Sequence, residues 1–218
     1  MQELLSDNYV QQNPTKSKKI IKAEEKTEFD PRYVNNPNIE SFMGYMFQPI
    51  DIYEESIYFI NKQFLSPIAS NAKMYYKYYV KDTIRTEREF FVRLQFEPRN
   101  PTDLLFKGEL AISMDGRYAV KSAQMRIDEK ANVSWVNDLR LRLSYFKDES
   151  GVMLQDTSEI TVLFGRGSRD AIFGHRYSVN QKYDLKHSTL ENIFTGAPIE
   201  KRLQTKSHLI ENRPIQLN

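Results

Sequence analysis

From Phe90 to Ile127 the chain reads FFVRLQFEPRNPTDLLFKGELAISMDGRYAVKSAQMRI, a stretch whose apolar residues recur every second position. Val92, Leu94 and Phe96 alternate with Arg93, Gln95 and Glu97, the period of a strand with one face in a core and one in water. Phe106, Leu110 and Ile112 repeat the phase against Lys107 and Glu109. Gly108 falls among the apolar positions, which signals a bend or a close packing partner. Turns are expected at Pro98 to Asp103 and at Asp115-Gly116, the latter as a two-residue hairpin in which glycine supplies positive φ. A third strand returns from Tyr118. Tyr118 and Val120 lie on one parity while Ala123, Met125 and Ile127 lie on the other, so a bulge is predicted near Lys121 or Ser122. This segment therefore reads as three consecutive antiparallel strands.

The same alternation extends in both directions. Met74, Tyr76, Tyr78 and Val80 alternate with Tyr75, Lys77, Tyr79 and Lys81, which predicts a strand after Ser66-Pro67. Leu139, Leu141, Leu143 and Tyr145 alternate with Arg140, Arg142 and Ser144 in the cleanest strand of the chain. Val152 to Gln155 and Ile160 to Phe164 read as two more strands, and Tyr177 to Tyr183 as a last one. Trp135 reads as a core plug. Ile50, Ile52 and Ile57 to Ile60 form short apolar runs that fit strand or helix. Ile39, Phe42, Met43 and Met46 fit a short helical face between Pro37 and Pro49, and the segment around Phe42 to Phe47 is the expected cover of the sheet. The expected fold is mainly β, a β-rich α+β arrangement. It consists of a strongly curved antiparallel sheet of about seven to nine strands with one or two short N-terminal helices. Residues 1–38, polar and mixed in charge, are expected to be a linker or a loosely docked helix. Residues 39–186 form the β domain, and residues 187–218 a connector tail.

The 218 residues suit one sizeable core. With 31 basic against 29 acidic residues the net charge is only +2, so no nucleic-acid partner is expected. The absence of cysteine removes disulfides and thiol chemistry and fits either redox compartment. No apolar run approaches the roughly 18 residues of a membrane helix. The opening MQELLSDNYVQQ lacks the basic-then-apolar order of a signal peptide, which leads to the expectation of a soluble chain with no targeting segment. A transmembrane barrel, with leucines toward lipid and arginines toward a lumen, is the alternative for such strands. A lysine facing lipid at the midplane would cost ~2 to 4 kcal/mol, although the polar faces can all turn inward. The small strand number and the lack of aromatic girdles favour a soluble sheet.

Few residues carry chemistry. His175, His187 and His208 have no metal-ligand spacing, so no metal site is expected. The run GRGSRD at Gly165 to Asp170 lacks the lysine-serine ending of a phosphate loop and reads as an ordinary loop. Arg166, Arg169 and Arg176 are the candidates for contact with an anion or a lipid head group. Glu54-Glu55 and Asp148-Glu149 are adjacent and point apart, unlike a catalytic carboxylate pair. The tyrosines at 75, 76, 78 and 79 fit a stacking platform less well than a strand with one buried parity. No catalytic residue and no cofactor are expected, and the chain reads as a non-enzyme.

Taken together, FLSPIASNAKMYYKYYVKDT, FVRLQFEPRNPTDLLFKGELAIS, NVSWVNDLRLRLSY and the closing ENRPIQLN resemble a family of Bacteroidetes outer-membrane proteins of unknown function, the carboxypeptidase-regulatory-like domain-containing proteins. The likeness covers about Ile50 to Asn218. In that family a signal peptide and a small β-sandwich come first, a region like this one follows, and a large outer-membrane barrel closes the chain. Set against that pattern, the sequence is expected to be the middle region without either flank. The resemblance implies a periplasmic, outer-membrane-associated module whose partner is its own C-terminal barrel, and it implies no peptidase activity. The alternation of strand, turn and strand is also similar to the curved half-barrel of periplasmic lipoprotein carriers, an analogy of fold alone. On that analogy Leu94, Phe96, Phe106, Leu110, Leu141 and Leu143 would line a concave apolar face that takes a lipid or a lipidated ligand. The alternative is a structural or protein-docking module that fills its own concavity. Sequence sets no oligomeric state.

Overall fold

The computed structural model describes residues 2–11, 14, 16–26, 44–59, 61–87, 89–127, 133, 136–165, 172–185 and 192–203. Among them run twelve strands: β1 (Gln2–Gln11), β2 (Lys16–Lys26), β3 (Ser56–Phe59), β4 (Lys62–Leu65), β5 (Tyr76–Arg85), β6 (Phe90–Pro98), β7 (Phe106–Ser113), β8 (Val120–Ile127), β9 (Val136–Lys147), β10 (Met153–Phe164), β11 (Ile172–Val179) and β12 (Ile199–Lys201). A four-residue helix α1 (Ala72–Tyr75) precedes β5. The chain divides into two compact units, residues 36–183 and residues 1–35 with 184–218.

The 36–183 unit is built on a seven-stranded sheet in the order β11-β10-β9-β8-β7-β6-β5, with every neighbouring pair antiparallel. Each strand pairs with its neighbours in sequence, and β5 and β11 end the sheet, so it is open. The protein is thus mainly β, as the alternation requires. The bulge lies where the parity change demands it. Ala111 pairs with Ser122 and Ile112 with Val120, which leaves Lys121 as the extra residue. A second bulge in β10, between Gln155 and Thr157, switches parity inside one continuous strand, which is why sequence splits it into two.

Within the principal sheet three expectations need correction. The loop between β7 and β8 spans residues 114–119 and is no two-residue turn. Gly116 and Tyr118 both adopt positive φ there, at 86° and 53°. Asp115 closes the loop by accepting hydrogen bonds from Ser113 Oγ at 2.9 Å and the Arg117 amide at 3.1 Å. Met74 and Tyr75 belong to α1 and not to the strand, and Met74 is exposed. The last strand of the sheet is Ile172–Val179, earlier than Tyr177 to Tyr183.

The inner face of the sheet packs against the unit's own residues 46–72 in a single core. Of the expected cover, Phe42 and Met43 lie outside the described residues; residues 44–46 form a helical turn and Met46 is buried. Most of the covering side chains come later, from Ile50, Ile52, Ile57, Phe59 and Phe64. The last three sit on the β3–β4 hairpin, whose turn is made by Asn61 at φ 55°. Trp135 lies outside the described residues.

In the other unit, β1 and β2 pair antiparallel over their full lengths and β12 adds to β2 in parallel. The expected linker or docked helix at 1–38 is therefore a hairpin, and part of the expected connector tail is a strand; residues 27–38 lie outside the described set. The mixed charges that suggested a solvated segment are partly cross-strand partners, with Lys22 Nζ 2.5 Å from Asp7 Oδ2. The bulge at Lys22, between the Leu5–Ala23 and Ser6–Ile21 pairs, breaks the strand period that would have marked β2.

Candidate functional site

The residues expected to line a ligand face do share one face. Register places Val80 opposite Leu94, Leu94 opposite Leu110, Leu110 opposite Ala123 and Ala123 opposite Leu143. Opposed residues in an antiparallel ladder project to the same side. Phe96, Phe106, Leu110, Leu141 and Leu143 are each at most 2% exposed. Their neighbours are side chains of the same chain, and the Phe64 ring stacks on Phe106 with centroids 4.6 Å apart. Leu94 differs. It is only half-buried and faces Val80, which is 70% exposed, so the apolar face emerges at the β5–β6 margin.

Hydrogen bonds fasten the covering segment to the sheet. Tyr76 Oη donates to the Leu65 carbonyl at 2.7 Å and accepts from the Phe106 amide at 3.3 Å. Tyr78 Oη donates to the Pro67 carbonyl at 2.6 Å, and Gln155 Nε2 donates to the Ile50 carbonyl at 2.9 Å. Tyr53 Oη accepts from the Val120 amide at 2.9 Å. Burial pushes the Tyr76 phenol up, and raises that of Tyr78 to about 12, so both stay protonated donors near neutral pH. Both hold backbone carbonyls of the covering segment. The tyrosines sequence treats as one run thus divide, with Tyr76 in the core and Tyr75 and Tyr79 exposed.

Sequence reasoning missed Phe59 and Phe64, the aromatic part of the cover. The available signal was Asn61 between two short apolar runs, a hairpin mark that the ambiguous run from Ile57 to Ile60 concealed.

Of the three candidate anion contacts, Arg166 and Arg169 lie outside the described residues. Arg176 is occupied. One terminal nitrogen donates to the Met46 carbonyl at 2.7 Å and to the Gln48 carbonyl at 2.9 Å. Among the described residues it has no carboxylate partner, its Nε is buried without a hydrogen bond, and burial pushes its pKa down. A bulky residue has room there because Gly174, beside it on the inner face, lets Met46 approach. Arg176→Met should therefore lower stability by about 2–4 kcal/mol, since the charge-assisted bonds to the Met46 and Gln48 carbonyls and the longer one to Ser158 Oγ at 3.5 Å are lost and the two carbonyls stay buried. Urea denaturation measures this, and an unchanged midpoint would mean that the guanidinium is not bound to the backbone and is free for an outside anion.

His175 lies on the opposite, solvent face, 3.0 Å from Glu159 Oε1, and Arg142 reaches the other oxygen of Glu159 at 3.2 Å. His187 and His208 lie outside the described residues. Among the described residues no three His, Asp or Glu side chains are grouped to hold a metal. No helix among them is long and apolar enough to cross a membrane, which leaves strand crossings unaddressed.

No curated protein and no solved structure matches the chain. A family model does match, over residues 1–184, a span that takes in the β1–β2 hairpin and the whole seven-stranded sheet. The chain belongs to DUF5686, a family of unknown function.

Proposed function

We propose that this chain is a non-enzymatic periplasmic module of an outer-membrane protein, a protein-docking or structural unit with a self-filled core that precedes a C-terminal barrel in the full-length protein. One observation supports the self-filled reading. Five of the six side chains suited to hold a ligand are buried in one core cluster with Ile52, Phe59 and Phe64 of the same chain. A ligand entering there would have to displace stacked aromatic rings and break the tyrosine bonds to Leu65 and Pro67. The cellular setting draws on the resemblance set out above, including the Bacteroidetes origin and the carboxypeptidase-regulatory-like grouping.

A lipid-binding reading draws on a different observation, the partly exposed margin at Leu94 and Val80. Native mass spectrometry of the chain purified without detergent, followed by organic extraction, separates the two. The docking reading expects the mass of the bare chain. A stoichiometric lipid that survives washing and is lost in Leu94→Asp would overturn it in favour of a carrier.

A further inference from the structure

The 1–35/184–218 unit buries a charge. Lys18 is 5% exposed, and an ammonium in that position needs both a counter-charge and hydrogen-bond acceptors. Both come from the far end of the chain: Glu200 Oε2 at 2.8 Å and the Thr195 carbonyl at 2.6 Å. Gly196, at φ 81°, follows Thr195 and turns the chain where a side chain would approach the Lys18 ammonium.

The backbone contacts are few. β1 covers one edge of β2 over ten pairs, whereas on the other edge, among the described residues, only Ile199, Glu200 and Lys201 pair, opposite Lys19, Ile20 and Ile21. Two further bonds bracket them, from the Lys19 amide to the Pro198 carbonyl and from the Arg202 amide to the Ile21 carbonyl, each 2.9 Å. Three parallel residues closing so long a loop have little to hold them in place. Charge supplies the rest, and it does so on both faces. Glu200 lies opposite Ile20, on the face that carries Lys18. Lys201 lies opposite Ile21, on the other face, and its Nζ is 2.5 Å from Glu24 Oε2. A slip of one residue would turn Lys201 toward Lys18 and leave the buried ammonium facing a like charge.

From this geometry we propose that the second edge of β2 is a strand-acceptor site keyed by Lys18 and Glu24, and that residues 198–202 occupy it as a releasable strap. The strap holds the chain's C-terminal continuation to its N-terminal hairpin. A segment able to replace it must be extended and parallel, with an acidic residue on the Lys18 face followed by a basic one on the Glu24 face. Because β12, among the described residues, takes three positions of an eleven-residue strand, a longer segment with that pattern would have more of the ladder to use.

Hydrogen exchange of the full chain tests the proposal at the Lys19 and Arg202 amides. In the parent chain both should exchange slowly. Glu200→Lys should accelerate both by at least about tenfold, with the amides of β9 and β10 unchanged. Since Lys201 is exposed, Lys201→Glu tests the second key without disturbing the buried lysine, by setting like charges against Glu24. Faster exchange confined to the strap and Lys19 supports the proposal. Parent-like exchange in both variants overturns it, and so does an unprotected strap in the parent chain.

Discussion

Among the described glycines, Gly108→Ala should be the most damaging addition of a methyl group. Gly108 sits between Phe96 and Met125 in the ladders of β7 with β6 and β8. A Cβ built there lies 1.9 Å from the Gln124 carbonyl oxygen and 3.0 Å from the Met125 Cα. Both are backbone atoms, so no rotamer change relieves the clash; β7 and β8 must part near the middle of the sheet. A loss of about 4 kcal/mol or more is expected, against the 5–15 kcal/mol that typically hold a domain together. Gly44→Ala provides the control, because nothing lies within 4 Å of its added methyl group. Its urea midpoint should match that of the parent chain to within ~0.5 kcal/mol. If the Gly108→Ala midpoint also matched, the close crossing of β7 and β8 would be wrong.

Phe64→Ala should cost about 3–5 kcal/mol, the usual loss for truncating a buried phenylalanine. The ring is 1% exposed and stacked on Phe106, so its removal opens a hole between the cover and the centre of the sheet. Leu94→Ala, at the half-buried margin, should cost about 1 kcal/mol. The contrast separates a cover that is part of the core from a lid over a binding cleft. A lid could lose Phe64 with little change in stability, and the opened face would then take up apolar dyes. Denaturation midpoints for the two variants, with dye binding in parallel, decide between these cases.

Much of the principal sheet was legible because a strand with one wet face writes its period into the sequence. Val92 to Phe96 and Leu139 to Tyr145 show this directly, and even the bulge at Lys121 appears as a change of parity. What resisted reading was structure that depends on partners distant in sequence. β2 owes its strand to β1 and to residues near position 200, and its own alternation is interrupted at Lys22. Asp156, the bulged residue of β10, made one strand resemble two. For the site, periodicity showed which residues share a face but not what covers it. An apolar face looks the same in sequence whether Phe64 or an acyl chain lies on it. Arg176 illustrates the same limit, since nothing near it in sequence indicates that its partners are the carbonyls of Met46 and Gln48.

The strand order also carries a timetable. Along β5 to β11 each strand joins the one made just before it, across connections of four to eight residues, so every pairing closes a short loop and none waits for a distant segment. During synthesis the sheet can grow by one strand at a time at its newest edge. β2 obeys a different clock: its second neighbour is β12, which leaves the ribosome some 170 residues later. Of the described strands, the hairpin emerges before the sheet and gains its third strand only after it, so the second edge of β2 is open to other strands until β12 arrives.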